Sequence, residues 1–172
     1  MPGNVEIKAR VENLEAVLEK ARLLTDYQPQ LIAQEDVFFH CPGGRLKLRF
    51  FSPTQGELIF YTRDNIAGPK TSAYQIVKTD QPDNLRKLLA KAYGEKIIVK
   101  KTRTLIIIGR TRIHLDEVEN LGTFVELEVV LENIEPSSSG EKEARELMTK
   151  LGIKESTLIE GAYADLLEQA EK

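Results

Sequence analysis

The 172-residue chain has a single cysteine, Cys41, which excludes an intrachain disulfide framework and fits a reducing compartment. No apolar run approaches the roughly 18 residues of a membrane-spanning helix, and Met1 to Lys8 lacks the basic start and apolar stretch of a secretory signal. Both absences predict a cytoplasmic protein with no membrane partner. Basic residues are not in excess either: the formal net charge is -3, which argues against a nucleic-acid partner held by a broad basic surface. Gly43-Gly44 forms neither a P-loop nor a Rossmann fingerprint. The two histidines, His40 and His114, lack zinc-site spacing, and Cys41 beside His40 has no thiol-protease context. There is no internal repeat. Too little chain follows the Pro136 to Ser139 patch to build a second core, so residues 1–172 are expected to form one domain.

What the chain does have is alternation. Val5, Ile7, Ala9 and Val11 point one way along the first segment while Asn4, Glu6, Lys8 and Arg10 point the other, the period-two signature of a strand. Asn13 is placed to cap a helix with Val17, Leu18 and Ala21 on one face. Further strands are expected at Leu31 to Phe39, Arg45 to Phe51, Glu57 to Arg63 and Ser72 to Lys78, with loops at Cys41 to Gly44, Ser52 to Gly56 and Asn65 to Lys70. A helix opens at Pro82 and closes at Gly94. Two strands, Glu95 to Arg103 and Thr104 to Ile108, are expected to meet at a tight or bulged turn. Strands at Gly109 to Asp116 and Thr123 to Leu131 follow. Ser138 with Glu141 suggests a capping box for a helix from Gly140 to Leu151, and Tyr163 to Ala170 reads as a final helix. Short strands in series, with few helices between them, favour an antiparallel α+β fold over alternating βαβ units.

At least five of these strands carry an apolar face and a charged one. Glu6, Lys8 and Arg10 share a face; so do Arg45, Lys47 and Arg49, then Lys101 and Arg103. Arg63 ends another strand, Arg110 and Arg112 stand with His114 and Asp116, and Glu126 with Glu128. The bland explanation is a set of polar faces meeting solvent. Three like charges at alternate positions repel, however, and the sharper reading is a compensating polyanion. A closed barrel reconciles the two faces, with apolar sides beneath helices and charged sides around a ligand-sized interior. Glu6, Asp116, Glu126 and Glu128 then supply hard oxygen ligands suited to Mg²⁺ or Mn²⁺, while Lys and Arg hold phosphate oxygens. His114 reads either as a phosphate contact or as an ordinary polar barrel residue. Tyr74 and Tyr163 read as core aromatics or as ligand contacts.

The ordered fragments Asn4-Val-Glu6-Ile-Lys8-Ala-Arg10, Gln34-Glu-Asp36-Val-Phe38-Phe39, Arg45-Leu-Lys47-Leu-Arg49, Lys101-Thr-Arg103, Arg112-Ile-His114-Leu-Asp116, Leu121-Gly122-Thr-Phe124-Val-Glu126-Leu-Glu128 and Ala162-Tyr163-Ala-Asp-Leu166-Leu167 together resemble the CYTH family. These triphosphate tunnel metalloenzymes include class IV adenylyl cyclases, thiamine triphosphatases and inorganic tripolyphosphatases. The resemblance covers nearly the whole chain. It implies an eight-stranded closed antiparallel tunnel, often in a homodimer, acting on a small triphosphate such as thiamine triphosphate, ATP or tripolyphosphate. It implies that Glu6 lies near a catalytic metal and Lys8 near phosphate. Arg49, Arg63, Lys101 and Arg103 would bind phosphate, with Arg45, Lys47 and Arg112 as further tunnel cations. Asp116 and Glu126 would serve the metal, joined by Glu128, and Asp116 or Glu128 is a candidate proton acceptor. The family's opening Glu-x-Glu-x-Lys pattern is met at Glu6 and Lys8 but broken at Asn4, where an amide oxygen replaces a carboxylate. Metal-dependent hydrolysis, cyclisation of ATP, and phosphate binding without turnover are the three activities consistent with this reading.

Overall fold

A computed structural model describes residues 3–63 and 67–171. The chain begins with β1 (Gly3–Arg10), α1 (Leu14–Arg22), β2 (Gln30–Phe39), β3 (Arg45–Ser52), β4 (Gln55–Arg63) and β5 (Lys70–Thr79). It continues through α2 (Pro82–Tyr93), β6 (Glu95–Ile108), β7 (Thr111–Val118), β8 (Gly122–Leu131), α3 (Ser137–Lys150) and α4 (Tyr163–Glu171). The strands close into one antiparallel barrel in the order β1-β5-β4-β3-β2-β6-β7-β8. Closure leaves no unpaired edge, and eight strands enclose just enough room for side chains and one small ligand.

The predicted helix cap is present: the Asn13 side chain accepts from the Ala16 N–H at 3.1 Å. Gly94 closes α2 with a positive φ of 83°, and its N–H reaches Ala90 O. Two local expectations are corrected. Residues 95–108 form one 14-residue strand rather than two, because nothing between Arg103 and Thr104 breaks the ladder. One edge of that strand pairs with β2 from Gln30 to Phe39 and the other with β7 from Thr111 to Val118, so its length is used along both neighbours. There is no capping box at α3. The helix starts at Ser137 after Pro136, and no side chain caps it. The Ser139 hydroxyl instead donates to Glu135 Oε1 and turns back toward Pro136 O. Arg110 leaves the barrel face: it sits in the β6–β7 turn and fastens Glu135, just before α3, and Glu143, within it.

The apolar faces are covered unevenly. Outward Val5, Ile7 and Ala9 of β1, with Ile113 and Leu115 of β7 and Val125, Leu127 and Val129 of β8, bury against Val17 and Ala21 of α1 and Ala144, Leu147 and Met148 of α3. Each fully buried Val, Leu or Ile contributes about 1.5–3 kcal/mol, so this layer dominates the barrel's stability. Gly140 permits the approach of α3, since a Cβ there would come within 2.8 Å of both Val5 and Leu131. A smaller cluster packs Leu85 and Leu89 of α2 on Val37, Phe39 and Leu48. At one end of the barrel α4 acts as a plug, placing Tyr163, Ala164 and Leu167 against Phe38, Tyr61, Val99 and Phe124.

Candidate active site

Alternation and closure together turn the charged faces inward around a cavity of about 340 Å³. Strand order then sorts the charges. The contiguous strands β3-β2-β6 contribute Lys47, Arg49, Lys101 and Arg103, whereas β7-β8-β1 contribute His114 and the carboxylates of Glu126, Glu128 and Glu6, with Lys8 paired to Glu126 and Arg112 to Glu128. A basic wall therefore faces an acidic one.

The basic wall is organised by Asp36, which no charge pattern marked in advance. Its carboxylate accepts from Arg49 Nε and a terminal nitrogen at 2.8 Å each, and stands 3.3 Å from Lys47 Nζ and 3.5 Å from Lys101 Nζ. Burial works to raise the Asp36 carboxyl, but Arg49, Lys47 and Lys101 hold it well below the usual range. One anion thus positions three cations and leaves the cluster an excess of positive charge. Burial, then Arg49, brings the Lys47 ammonium down to about 8 despite the opposing pull of Asp36. Burial and Arg103 lower Lys101 as well. These are the shifts expected of ammonium groups buried beside other cations.

Arg103 is anchored differently. Its Nε and a terminal nitrogen donate to the two Asp116 oxygens at 2.7 and 2.8 Å, and the Tyr163 hydroxyl donates to the same carboxylate at 2.6 Å. Asp116 is fully buried and is not among the residues lining the cavity, so its oxygens serve Arg103 and Tyr163. Tyr163 also packs 5.0 Å from Phe124, centroid to centroid, and lies under the ammonium of Lys8 at 4.0 Å. The plug helix therefore helps to set the depth of two cavity cations.

On the acidic wall, Glu6 and Glu128 are cross-strand partners, as are Lys8 and Glu126, and His114 and Glu126. Lys8 Nζ lies 3.5 Å from Glu126 Oε2. Burial opposes ionisation of Glu126, but Lys8, His114 and Arg103 together outweigh it and hold that carboxyl well below the usual range. Glu128 goes the other way. Burial, with repulsion from Glu6 and Glu126, pushes it up to about 7 although Arg112 pairs with it. Burial and then Arg103 push His114 down to about 4. Single ligand atoms of His114, Glu126 and Glu128 all lie within 4.8 Å of one another, a spacing that one cation can bridge.

Other cations chosen from the sequence lie elsewhere. Arg10 is exposed and sits 4.9 Å over the Phe124 ring, near the plugged end. Arg45 bonds Asp165 of α4 at 2.6 Å. Neither is among the cavity-lining residues, whereas Arg112 is. The Arg63 side chain lies outside the described residues. Beyond the charged region the cavity opens between Ile32, Phe51, Ile76 and Leu105, with Phe51 and Ile76 39% and 45% exposed. Asp36 was readable only as the lone acid on the inward face of β2, between Gln34 and Phe38, and Lys70 was expected in a loop. Lys70 instead opens β5, almost fully buried and across from Glu6.

A closed eight-stranded antiparallel barrel with flanking helices and a charged interior has the triphosphate tunnel architecture. The chain belongs to the CYTH family, whose domain matches residues 3–163. It is 23% identical over 180 residues to adenylate cyclase CyaB of Aeromonas hydrophila, covering 96% of this chain and 89% of that protein. The fold is shared with the PH1012 protein from Pyrococcus horikoshii OT3 at a TM-score of 0.82, with 22% identity over 95% of this chain and 98% of the other. It is also shared, at a TM-score of 0.67 and 16% identity, with the Hippeastrum putative adenylyl cyclase HpAC1, described as having a dominant triphosphatase activity; coverage is 100% of this chain and 97% of that one. Among the described residues, no helix is long and apolar enough to cross a membrane.

Proposed function

We propose that the chain is a divalent-metal-dependent hydrolase of a small triphosphate, working as one cytoplasmic domain over residues 1–172. The observation that carries this reading is the basic wall facing the acidic one across a cavity of a few hundred Å³. A triphosphate needs both: cations for its non-bridging oxygens, and a second group of opposite sign to hold a countercation against it. The acidic wall suits such an ion. Beside the carboxylates of Glu6, Glu126 and Glu128, it presents Asn4 Oδ1 and His114 Nδ1, both buried without a hydrogen-bond partner among the described residues. A divalent ion bound there would draw charge from the phosphate and acidify a water.

The chain's own residues do the rest. Arg49, Lys47 and Lys101, fixed by Asp36, hold the phosphate oxygens, and Arg103, fixed by Asp116, carries charge that develops on the departing diphosphate. Water attack at the terminal phosphorus gives orthophosphate and the diphosphate, and the proton passes to a carboxylate of the acidic wall. Glu128, which lines the cavity across from Glu6, is the candidate for that role. The triphosphatase activity described for the Hippeastrum protein is in keeping with this assignment.

Cyclisation of ATP is the second reading, favoured by the Aeromonas relative's name and by the apolar mouth, which offers a surface for a base. Incubating the chain with ATP, thiamine triphosphate and tripolyphosphate, each with Mg²⁺ and Mn²⁺, separates the two. Orthophosphate release is expected. Cyclic AMP with pyrophosphate would replace hydrolysis by cyclisation, and calorimetric binding without any product would leave a phosphate-binding protein.

A further inference from the structure

The acidic wall also carries a histidine. His114, on β7, is cross-strand from Glu126 and is 93% buried, yet it lines the cavity. Its Nδ1 has no hydrogen-bond partner among the described residues, and Glu126 Oε1 at 3.7 Å is beyond hydrogen-bond reach. Leaving such an atom unsatisfied is costly, so its retention facing a cavity calls for an occupant. A phosphate oxygen is a poor one, because it would have to settle beside the carboxylates of Glu126 and Glu128. The same two carboxylates favour a cation, and a divalent ion adds to the single charges that Lys8 and Arg112 already set against them. The ligand atoms of all three side chains lie within 4.8 Å of one another.

We infer that His114 contributes a ring nitrogen to the divalent-ion site it forms with Glu126 and Glu128, and that the site thereby favours first-row transition ions over Mg²⁺. This rests on reading the acidic wall as a metal site, and it names the ion class that site takes. Mg²⁺ demands near-ideal octahedral oxygen coordination and gives up water reluctantly. Imidazole nitrogen suits Co²⁺, Ni²⁺ and Zn²⁺, so replacing one oxygen donor by nitrogen widens the gap between them and Mg²⁺. Asn4 acts in the same direction. Its Oδ1 is a neutral donor, buried and unpartnered in the same cavity, so less negative charge is available for a hard ion than a carboxylate would give.

The test uses the metal alone with the full chain and no triphosphate. Pulsed electron paramagnetic resonance of bound Mn²⁺ reads nitrogen coupling directly, and calorimetric titrations with Co²⁺ and Mg²⁺ read selectivity. Nitrogen coupling is expected in the wild type and in His40→Gln, which removes the other histidine, and it should vanish in His114→Asp. The preference for Co²⁺ over Mg²⁺ should shrink by about tenfold or more in His114→Asp. Mn²⁺ bound with no nitrogen coupling, coupling that survives in His114→Asp, or no Mn²⁺ binding at all would overturn the assignment. Should His114→Asp fail to fold, the wild-type and His40→Gln spectra decide alone. Nitrogen coupling without turnover of any triphosphate would keep His114 as a ligand and sink the hydrolase reading; turnover with an all-oxygen ion environment would do the reverse.

Discussion

Asp36 and Arg49 are cross-strand partners on β2 and β3, joined by two parallel hydrogen bonds of 2.8 Å, and the same carboxylate lies within 3.5 Å of two lysine ammonium groups. Removing the shared anion in Asp36→Ala leaves three buried cations uncompensated. The expected cost is about 3–5 kcal/mol of stability. A bound polyanion replaces the missing charge, so tripolyphosphate should raise the melting temperature more in Asp36→Ala than in the wild type. Thermal unfolding with and without tripolyphosphate checks both, and equal shifts in the two proteins would show that the cluster does not meet the ligand.

The two walls should separate binding from turnover. Arg49→Ala removes a charged donor from the basic wall and is expected to weaken triphosphate binding by about 10- to 100-fold, the equivalent of one charge-assisted hydrogen bond. Glu126→Ala removes a carboxylate of the acidic wall and should lower metal-dependent turnover by roughly 10- to 100-fold or more while triphosphate still binds. Calorimetry and phosphate release, each measured on both variants, make the comparison. Wild-type turnover in two folded variants would contradict both placements.

The barrel was legible because period-two alternation is local. Glu6 with Lys8, Lys47 with Arg49, Lys101 with Arg103, and Glu126 with Glu128 could each be assigned to one face of a strand without knowledge of any neighbour, and every one of them lines the cavity. Depth along the barrel axis was not legible. Arg10 and Arg45 obey the same alternation, yet stagger carries them to the plugged end, where Phe124 and Asp165 engage them. Asp116 likewise lies on the inward face but behind Arg103 and under Tyr163. Asp36 is hidden for the complementary reason: the inward face of its strand shows a single acid, between Gln34 and Phe38, and its importance comes from β3 and β6, which reach it only through long-range pairing. The unbroken β6 is a similar case, since the length of a strand is decided by its two partners.

Triphosphate binding should take up protons above neutral pH. In the free protein burial and Arg49 bring Lys47 down to about 8 from an ordinary value of 10.5, so above pH 8 a growing fraction is neutral. A polyanion favours the ammonium form and raises that value again, so protons enter on binding and affinity falls as the pH rises through 8. Calorimetry at pH 8.5 in buffers of differing ionisation enthalpy measures the uptake. Zero uptake would place Lys47 away from the ligand.

The apolar mouth should govern which triphosphate is preferred. Ile32, Phe51, Ile76 and Leu105 lie beyond the charged walls, and Phe51 and Ile76 keep much of their surface in water. An inorganic chain of phosphates gains nothing from such residues, whereas the heterocycle of an organic triphosphate removes apolar area from water at about 25 cal/mol per Å². Phe51→Ser and Ile76→Ser are therefore each expected to weaken ATP or thiamine triphosphate by about tenfold while leaving tripolyphosphate nearly unchanged. Both side chains already sit at the surface, so little stability should be lost with them. The ratio of kcat/KM for ATP to that for tripolyphosphate is the measurement, because it cancels any general effect on the charged walls. A ratio that does not move in either variant would mean that the organic group lies outside the apolar mouth and that recognition is confined to the phosphates.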